Sequence, residues 1–222
     1  MKLHLRNKCI CCNGKKLLEI INLGNHSFAD RFVPKNKIKY KDPEYPLILD
    51  LCNKCKFIQS RIITDPKDRY INYDYSYTSS NSKYSRNHWK NFAFYLRKKR
   101  KIKNSKIIEI GSNDGYLLKH LKKMKANVLG IDASKFMVKI SKENKIDTLH
   151  AIFNFNQSKK IKKKFGYSNI IIANNVFNHS DNPKNFLKGV YHLLEKNGMF
   201  VFEQPYFARG LFAEKFDQIY HE

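Results

Sequence analysis

Two cysteine pairs, Cys9-Ile10-Cys11-Cys12 and Cys52-Asn53-Lys54-Cys55, constrain this chain more than any other feature. In each pair the two-residue gap lets both outer sulfurs converge on one ion, and four thiolates complete the tetrahedral shell that zinc takes. The expected ligands are Cys9, Cys12, Cys52 and Cys55, with Cys11 a spare thiol inside the first knuckle. Unpaired core thiols or redox pairs are the competing readings, but two complete knuckles are far more specific than one. Bound zinc supplies on the order of 10–16 kcal/mol of apparent free energy in small modules. A module this small would need it.

The rest of the composition narrows the class. No stretch near the N-terminus has a signal-peptide core, and no apolar run approaches the ~18–20 residues that cross a bilayer. The expected compartment is cytoplasmic, where reduced thiols favour metal over disulfides, and no membrane partner is expected. The chain has 222 residues, 42% of them hydrophobic, enough for one or two domains with a real core. Its net charge of +24, from 43 basic and 19 acidic residues, invites a nucleic-acid partner. The lysines are scattered through nearly every segment, which reads as a global residue bias. Denser runs occur only at Arg97-Lys98-Lys99-Arg100-Lys101 and Lys159-Lys160-Ile161-Lys162-Lys163-Lys164. A solvated face accounts for both, and nucleic acid is not the expected partner.

Residues 1–65 are short-stranded and loop-rich, with apolar stretches Leu17 to Ile21 and Tyr45 to Leu51 bringing the knuckles together. Residues 66–104 hold a connector dense in Tyr and Ser, then a helix from about Lys83 to Lys99 with Trp89, Phe92, Tyr95 and Leu96 at helical spacing. From residue 105 to 222 strands and helices alternate. Strands are expected at Lys106 to Ile110, Asn127 to Asp132, Thr148 to Phe153, Ser168 to Val176 and Met199 to Glu203. Helices are expected around Leu117 to Met124, from the cap Ser134 to Asn144, and from Asn185 to Glu195. Repeated βα units predict an α/β fold, a mostly parallel Rossmann-like sheet with helices on both faces.

The turn Glu109-Ile110-Gly111-Ser112-Asn113-Asp114-Gly115 joins the first of these strands to its helix. Its glycines let the backbone approach a ligand where a side chain would clash. The spacing is not the dinucleotide G-x-G-x-x-G. It resembles the first motif of class I methyltransferases, which bind S-adenosylmethionine at this edge of the sheet. Asp132 ends the second strand, in position to accept hydrogen bonds from both ribose hydroxyls. A plain nucleotide or an empty fold is the alternative. His179 follows the fourth strand in Asn174-Asn175-Val176-Phe177-Asn178-His179, where strand carboxyl ends line the ligand crevice.

Longer stretches resemble the zinc-containing S-adenosylmethionine-dependent sugar C-methyltransferases of deoxysugar biosynthesis. They are Cys9-x-x-Cys12, Leu23-Gly24 through Ala29-Asp30-Arg31-Phe32, Cys52-x-x-Cys55 with Gln59, and Tyr75-Ser76-Tyr77-Thr78-Ser79-Ser80. The glycine turn, Asn174 to His179, Phe202-Glu203-Gln204-Pro205-Tyr206 and Phe216-Asp217-Gln218-Ile219-Tyr220-His221-Glu222 continue the series in the family's order. The resemblance implies methylation at C3 of a nucleotide-linked 4-keto-6-deoxysugar. The ketone acidifies the neighbouring C–H, a base removes the proton, and the enolate carbon attacks the sulfonium methyl. It further implies cofactor contacts from Glu109, Gly111, Asn113, Gly115, Asp132 and Asn174. Tyr77, His179, Tyr220 and Glu222 would surround the sugar, and the zinc would be structural and remote.

The family motif reads on to one more histidine directly after the position of Glu222, the expected general base, with His221 or His179 as substitutes. The last two strands of the family's sheet and its C-terminal domain are also unmatched, which leaves the fifth strand with an open edge. The expected chain is thus the N-terminal part of such an enzyme, either a fragment of a longer protein or complete only with a second polypeptide. Two other readings compete: a zinc-ribbon methyltransferase or adaptor on RNA, and an inactive gene remnant.

Overall fold

The computed structural model describes residues 4–27, 35–37, 39, 43–65, 67, 69, 77–215 and 219. The chain divides into two compact units. The first comprises Met1–Asp74, Asn178–Lys184 and Gln204–Glu222; the second comprises Tyr75–Phe177 and Asn185–Glu203.

In the first unit, β1 (His4–Leu5) pairs antiparallel with β5 (Ile62–Ile63). Strands β2 (Leu17–His26), β3 (Tyr45–Cys52) and β4 (Ile58–Ser60) form an antiparallel sheet with β3 central. Strand β2 is largely exposed and the buried residues of β4 are polar, so apolar area alone holds this sheet weakly. An ionic bolt adds to it. Asp50 on β3 is buried and accepts both Arg61 Nε contacts at 3.2 and 3.0 Å, while Arg61 Nη1 reaches Glu19 on β2 at 2.8 Å. A second, partly buried cluster joins Arg6 and Arg69 through the Asp181 carboxylate, at 3.3 and 2.9 Å.

The second unit is a five-stranded parallel sheet in the order β10-β9-β6-β7-β8. Its strands are β6 (Lys106–Ile110), β7 (Asn127–Asp132), β8 (Thr148–His150), β9 (Ser168–Ile172) and β10 (Leu194–Val201). Strand alternation splits the apolar residues between two faces. Ile107, Val128, Ile170 and Ile172 pack with Ala93 and Leu96 of α1 (Lys83–Lys99) and Leu117, Leu118 and Leu121 of α2 (Tyr116–Lys123). On the other face Ile108, Ile110, Leu129, Ile131 and Ile171 pack with Ile161 of α4 (Phe155–Phe165) and Phe186, Val190 and Leu193 of α5 (Pro183–Leu193). Helix α3 (Lys135–Glu143) follows β7, capped by Ser134 Oγ, which accepts from Met137 N–H. Near-continuous isoleucine at 170–172 is what a strand covered on both faces requires.

Several boundaries differ from the sequence-based expectation. Strand β8 stops at His150 because Asn154 caps α4, accepting Gln157 N–H at 2.9 Å. That helix absorbs the second lysine run, in which Lys162 lies 3.9 Å from the Tyr167 ring centroid and Lys159 4.7 Å from that of Phe155. Strand β9 ends at Ile172, ahead of a turn in which Asn175 takes a φ of 53°. Helix α5 starts at Pro183, whose fixed φ suits a first helical residue, and yields at Leu193 to β10.

The central strand sets the main stability test. Ile108→Ala on β6 removes a side chain with no solvent exposure and is expected to cost about 2–5 kcal/mol, read as a lowered urea midpoint at unchanged slope.

Candidate active site and metal centre

The two knuckles have the same local geometry. Asn13 N–H donates to Cys9 O and Lys56 N–H to Cys52 O, both at 2.9 Å, and Asn13 and Lys56 take left-handed φ of 59° and 61°. Cys9 N–H donates to Gly14 O and Cys52 N–H to Phe57 O, again at 2.9 Å. Each turn therefore offers its thiols from the same fold of backbone. The four sulfurs of Cys9, Cys12, Cys52 and Cys55 all lie within 4.8 Å of one another, with Cys9–Cys55 and Cys12–Cys52 at 3.6 Å. A Zn–S bond of about 2.3 Å implies tetrahedral edges of about 3.8 Å, so the donor set fits zinc. A Cβ at Gly14 would meet the sulfurs of Cys12 and Cys52 at 3.2 and 3.3 Å, so the cradle is filled to its edge. Cys11 is exposed and stands outside the cluster. The Cys55 backbone N–H, first among several donors, lowers the Cys52 thiol to about 6, while burial raises Cys9. Against the Phe57 backbone N–H, burial and the neighbouring thiols push Cys55 up to about 12, so without metal one thiol of the cluster ionises at the expense of the others.

Gln59, on β4, supports the first knuckle from outside the ligand set. Its side chain is buried, accepts Ile10 N–H at 2.9 Å and donates to Lys8 O at 3.3 Å. The segment carrying Cys9 is thus bonded to the strand that follows the second knuckle. The sequence marked Gln59 only as part of a motif; its role appears once the two segments meet.

In the second unit the sheet order reverses between β6 and β9, and the loops leaving these two strands flank that switch point. Gly111 has a φ of 68°, and a Cβ there would lie 2.1 Å from Val176 Cγ2, so the turn after β6 and the turn after β9 touch. Gly115, at φ 75°, opens α2, and its Cβ would lie 2.5 Å from Ser141 Oγ. Both positions require glycine.

The amides of this turn are already engaged. Gly111 and Ser112 N–H donate to Ile131 O at 2.7 and 3.1 Å, and Gly115 N–H donates to Ser112 O at 2.9 Å. Asn113 N–H donates to Asp132 Oδ2 at 2.8 Å, Asp114 N–H to Asn113 Oδ1 at 2.9 Å, and Tyr116 N–H to Asp114 Oδ1 at 3.1 Å. A phosphate-binding loop instead presents free N–H groups to its ligand. This turn has spent them, which weighs against the plain-nucleotide alternative.

The buried groups still seeking partners are side chains. Among the described residues, Glu109 Oε2, Ser112 Oγ and both polar atoms of Asn174 have no hydrogen-bond partner. Such groups are costly in a folded protein unless a ligand or water meets them. Glu109 and Asn174 sit at the ends of adjacent strands and together present an acceptor and a donor–acceptor pair, a set that suits an amino-acid-bearing cofactor. Burial raises the Glu109 carboxyl well above its ordinary value, and the Asp114 and Asp132 carboxylates add to the effect. Burial also raises Asp132, against the N–H groups of Ser134 and Asn113 that favour its charged form.

The family model described as "Methyltransferase domain" matches residues 80–222, well over half of the chain. The chain belongs to this methyltransferase family. A second model, "Putative zinc binding domain", matches residues 9–70, which contain the four-cysteine cluster. The cofactors of the two parts are S-adenosylmethionine and zinc. The C-methyltransferase NovU of Streptomyces niveus is 22% identical over 217 residues, 97% of this chain and 51% of that protein. The ubiquinone biosynthesis O-methyltransferase of Pelagibacter ubique (strain HTCC1062) is 32% identical over 105 residues, 45% of this chain and 42% of that one. The chain thus spans about half the length, or less, of these curated relatives. A solved plantazolicin methyltransferase, BpumL with a pentazolic analogue and SAH, aligns with a TM-score of 0.49 and 19% identity. That alignment covers 70% of this chain and 64% of the other. Among the described residues no helix is long and apolar enough to cross a membrane.

The residues singled out from sequence divide by location. Glu109, Gly111, Asn113, Gly115, Asp132 and Asn174 gather at the carboxyl edge of the parallel sheet, and the backbone of Tyr77 joins them through Asn113 Nδ2, which donates to Tyr77 O at 2.9 Å. His179 ends a 3-10 turn, Phe177–His179, and belongs to the first unit. Tyr220, His221 and Glu222 lie outside the described residues, as do Tyr75, Ser76 and the stretch from Ala29 to Phe32. Sequence reasoning missed Asp114, buried within the turn, and the pair His88–Glu203 at 2.9 Å, which joins α1 to the end of β10. Glu203 stood in a quoted motif, but nothing in the spacing announced its partner.

Two outcomes test this site. Gln59→Ala is expected to weaken zinc binding by roughly 10–100-fold in competition with a chromophoric chelator, while Gln59→Glu, which keeps the acceptor, loses less. For Glu109 the folded state holds its proton above the ordinary value of 4.5, where the unfolded chain releases it, so this group lowers stability as pH rises. Glu109→Gln should therefore raise the urea midpoint more at pH 8 than at pH 5; equal gains at both would contradict the buried-acid assignment.

Proposed function

We propose that this protein is part of an S-adenosylmethionine-dependent C-methyltransferase acting on a nucleotide-linked 4-keto-6-deoxysugar. The observation that carries the reading is the pairing, in one chain, of a four-thiolate module with a methyltransferase sheet. A relative named as a C-methyltransferase aligns with 97% of the chain, a span that takes in both parts. The proposed organisation is a zinc module over residues 1–65, a connector and helix over 66–104, and the methyltransferase domain from 105 onward.

In this reading S-adenosylmethionine supplies an electrophilic methyl group. Glu109 and Asn174 meet its amino-acid part with their unpartnered atoms, and Asp132 takes the ribose hydroxyls with the lone pairs its two backbone donors leave over. Gly111 and Gly115 keep the turn clear of side chains. Tyr77, His179, Tyr220 and Glu222 are the sugar-side candidates that the family resemblance supplies, and the chemistry needs one group to take the C3 proton and a hydrogen-bond donor to steady the enolate oxygen. Zinc stays at Cys9, Cys12, Cys52 and Cys55 and takes no part in the chemistry, since four thiolates leave no open coordination position.

Product chemistry decides the reading. Incubation with methyl-labelled cofactor and a nucleotide-linked 4-keto-6-deoxysugar is expected to place the label on carbon, visible as a new C-methyl singlet at C3 by NMR. Without cofactor, the same sugar in D2O should exchange its C3 proton. Label on oxygen, or no C3 exchange and no product, would sink the assignment.

A further inference from the structure

The segment from Tyr77 to Ser80 runs alongside the glycine turn before α1 begins, and two consecutive side chains of that turn hold it. Asn113 Nδ2 donates to Tyr77 O, and Asn113 Oδ1 accepts Ser79 N–H, both at 2.9 Å. Asp114 Oδ1 accepts the Ser79 hydroxyl at 2.6 Å, and Oδ2 accepts Ser80 N–H at 3.0 Å. From the helix side, Trp89 Nε1 donates to Ser79 O at 3.2 Å. Ser79 therefore commits its N–H, its hydroxyl and its carbonyl to three partners outside its own segment.

Two observations set this apart from ordinary helix capping or cofactor contact. Helix α1 already has its cap, Ser82 Oγ, which accepts Ser85 N–H at 3.0 Å, so Ser79 is not needed there. Asp114 is only 1% exposed, and its oxygens are taken by Ser79, Ser80 and Tyr116, which leaves it no face for a ligand. A carboxylate accepting a hydroxyl at this distance is among the stronger hydrogen bonds a protein makes.

We propose that Ser79 is a positioning residue: latched by Asp114 and Asn113, it fixes the backbone of Tyr77 to the cofactor turn and so sets the place of that tyrosine relative to the methyl donor. The role of Tyr77 rests on the methyltransferase reading above; the latch itself does not. A misplacement of about 1 Å in a group beside the reacting atoms can cost on the order of 100-fold in rate.

The test compares the full chain with its Ser79→Ala and Ser79→Thr variants by hydrogen exchange, with S-adenosylhomocysteine affinity measured in parallel. In the alanine variant the amides of residues 77–82 are expected to exchange about tenfold faster. Homocysteine-cofactor affinity should stay within about threefold, because Ser79 acts on the latch and not on the ligand. Threonine, which keeps the hydroxyl, should restore protection, and Trp89, the only tryptophan of the chain, should shift its emission in the alanine variant alone. Three results would overturn the proposal: unchanged exchange in the alanine variant, an affinity loss as large as the exchange gain, or equal opening with threonine. Where turnover is measured, the alanine variant should lose kcat at unchanged cofactor KM, and an equal kcat would overturn the positioning role. A parent protein without turnover counts against the methyltransferase reading, while the exchange comparison still decides the latch.

Discussion

The carboxylate of Asp132 is the interaction on which the sheet-edge site depends. It is almost fully buried, and its two oxygens accept N–H groups from Asn113 and Ser134, one in the turn after β6 and one in the turn after β7. Two neighbouring βα turns are thereby held at a common acceptor. The Asn113 amide can point inward only because the backbone between Gly111 and Gly115 passes through left-handed conformations, with φ positive at Gly111, Asn113 and Gly115. Remove the acceptor and the turn loses the reason for its shape.

From that turn the structure reaches outward by side chains. Its amides are spent on β7 and on the turn itself, so the side chains of Asn113 and Asp114 bond the Tyr77–Ser80 segment, while Gly111 lets Val176 close in from the turn after the neighbouring strand. A comparable set of contacts lies at the same carboxyl edge, beyond β9 and β10. Glu203 binds His88 through its side chain and accepts Asn175 N–H at its carbonyl, at 2.6 Å. The site is therefore framed by segments that are far apart in sequence and close only because β6 and β9 are neighbours.

The first unit solves a different problem. Strand β2 is largely exposed, and a small three-stranded sheet buries too little to order two cysteine knuckles unaided. The Asp50–Arg61–Glu19 bolt ties its strands, Gln59 ties the first knuckle to β4, and four sulfurs come within a zinc ion's reach. Metal affinity here is folding free energy, since the knuckles converge only in the folded unit.

Much of this was legible before any coordinates. Strand β6, helix α1 and the cap at Ser134 stand where apolar spacing and turn chemistry put them, because local rules decide those features. Cysteine spacing alone named the four thiols that converge. Strand ends were less legible: β8 and β9 stop early because Asn154 caps a helix and Asn175 turns the chain. Partners were not legible at all. Nothing within Tyr77-Thr78-Ser79-Ser80 announces that Asp114 will bond it, nor that Gln59 will reach Ile10 and Lys8. Periodicity and spacing are one-dimensional and determine which residues turn, pair or alternate. Which buried polar atoms find one another depends on strand order and side-chain reach, and those exist only in three dimensions.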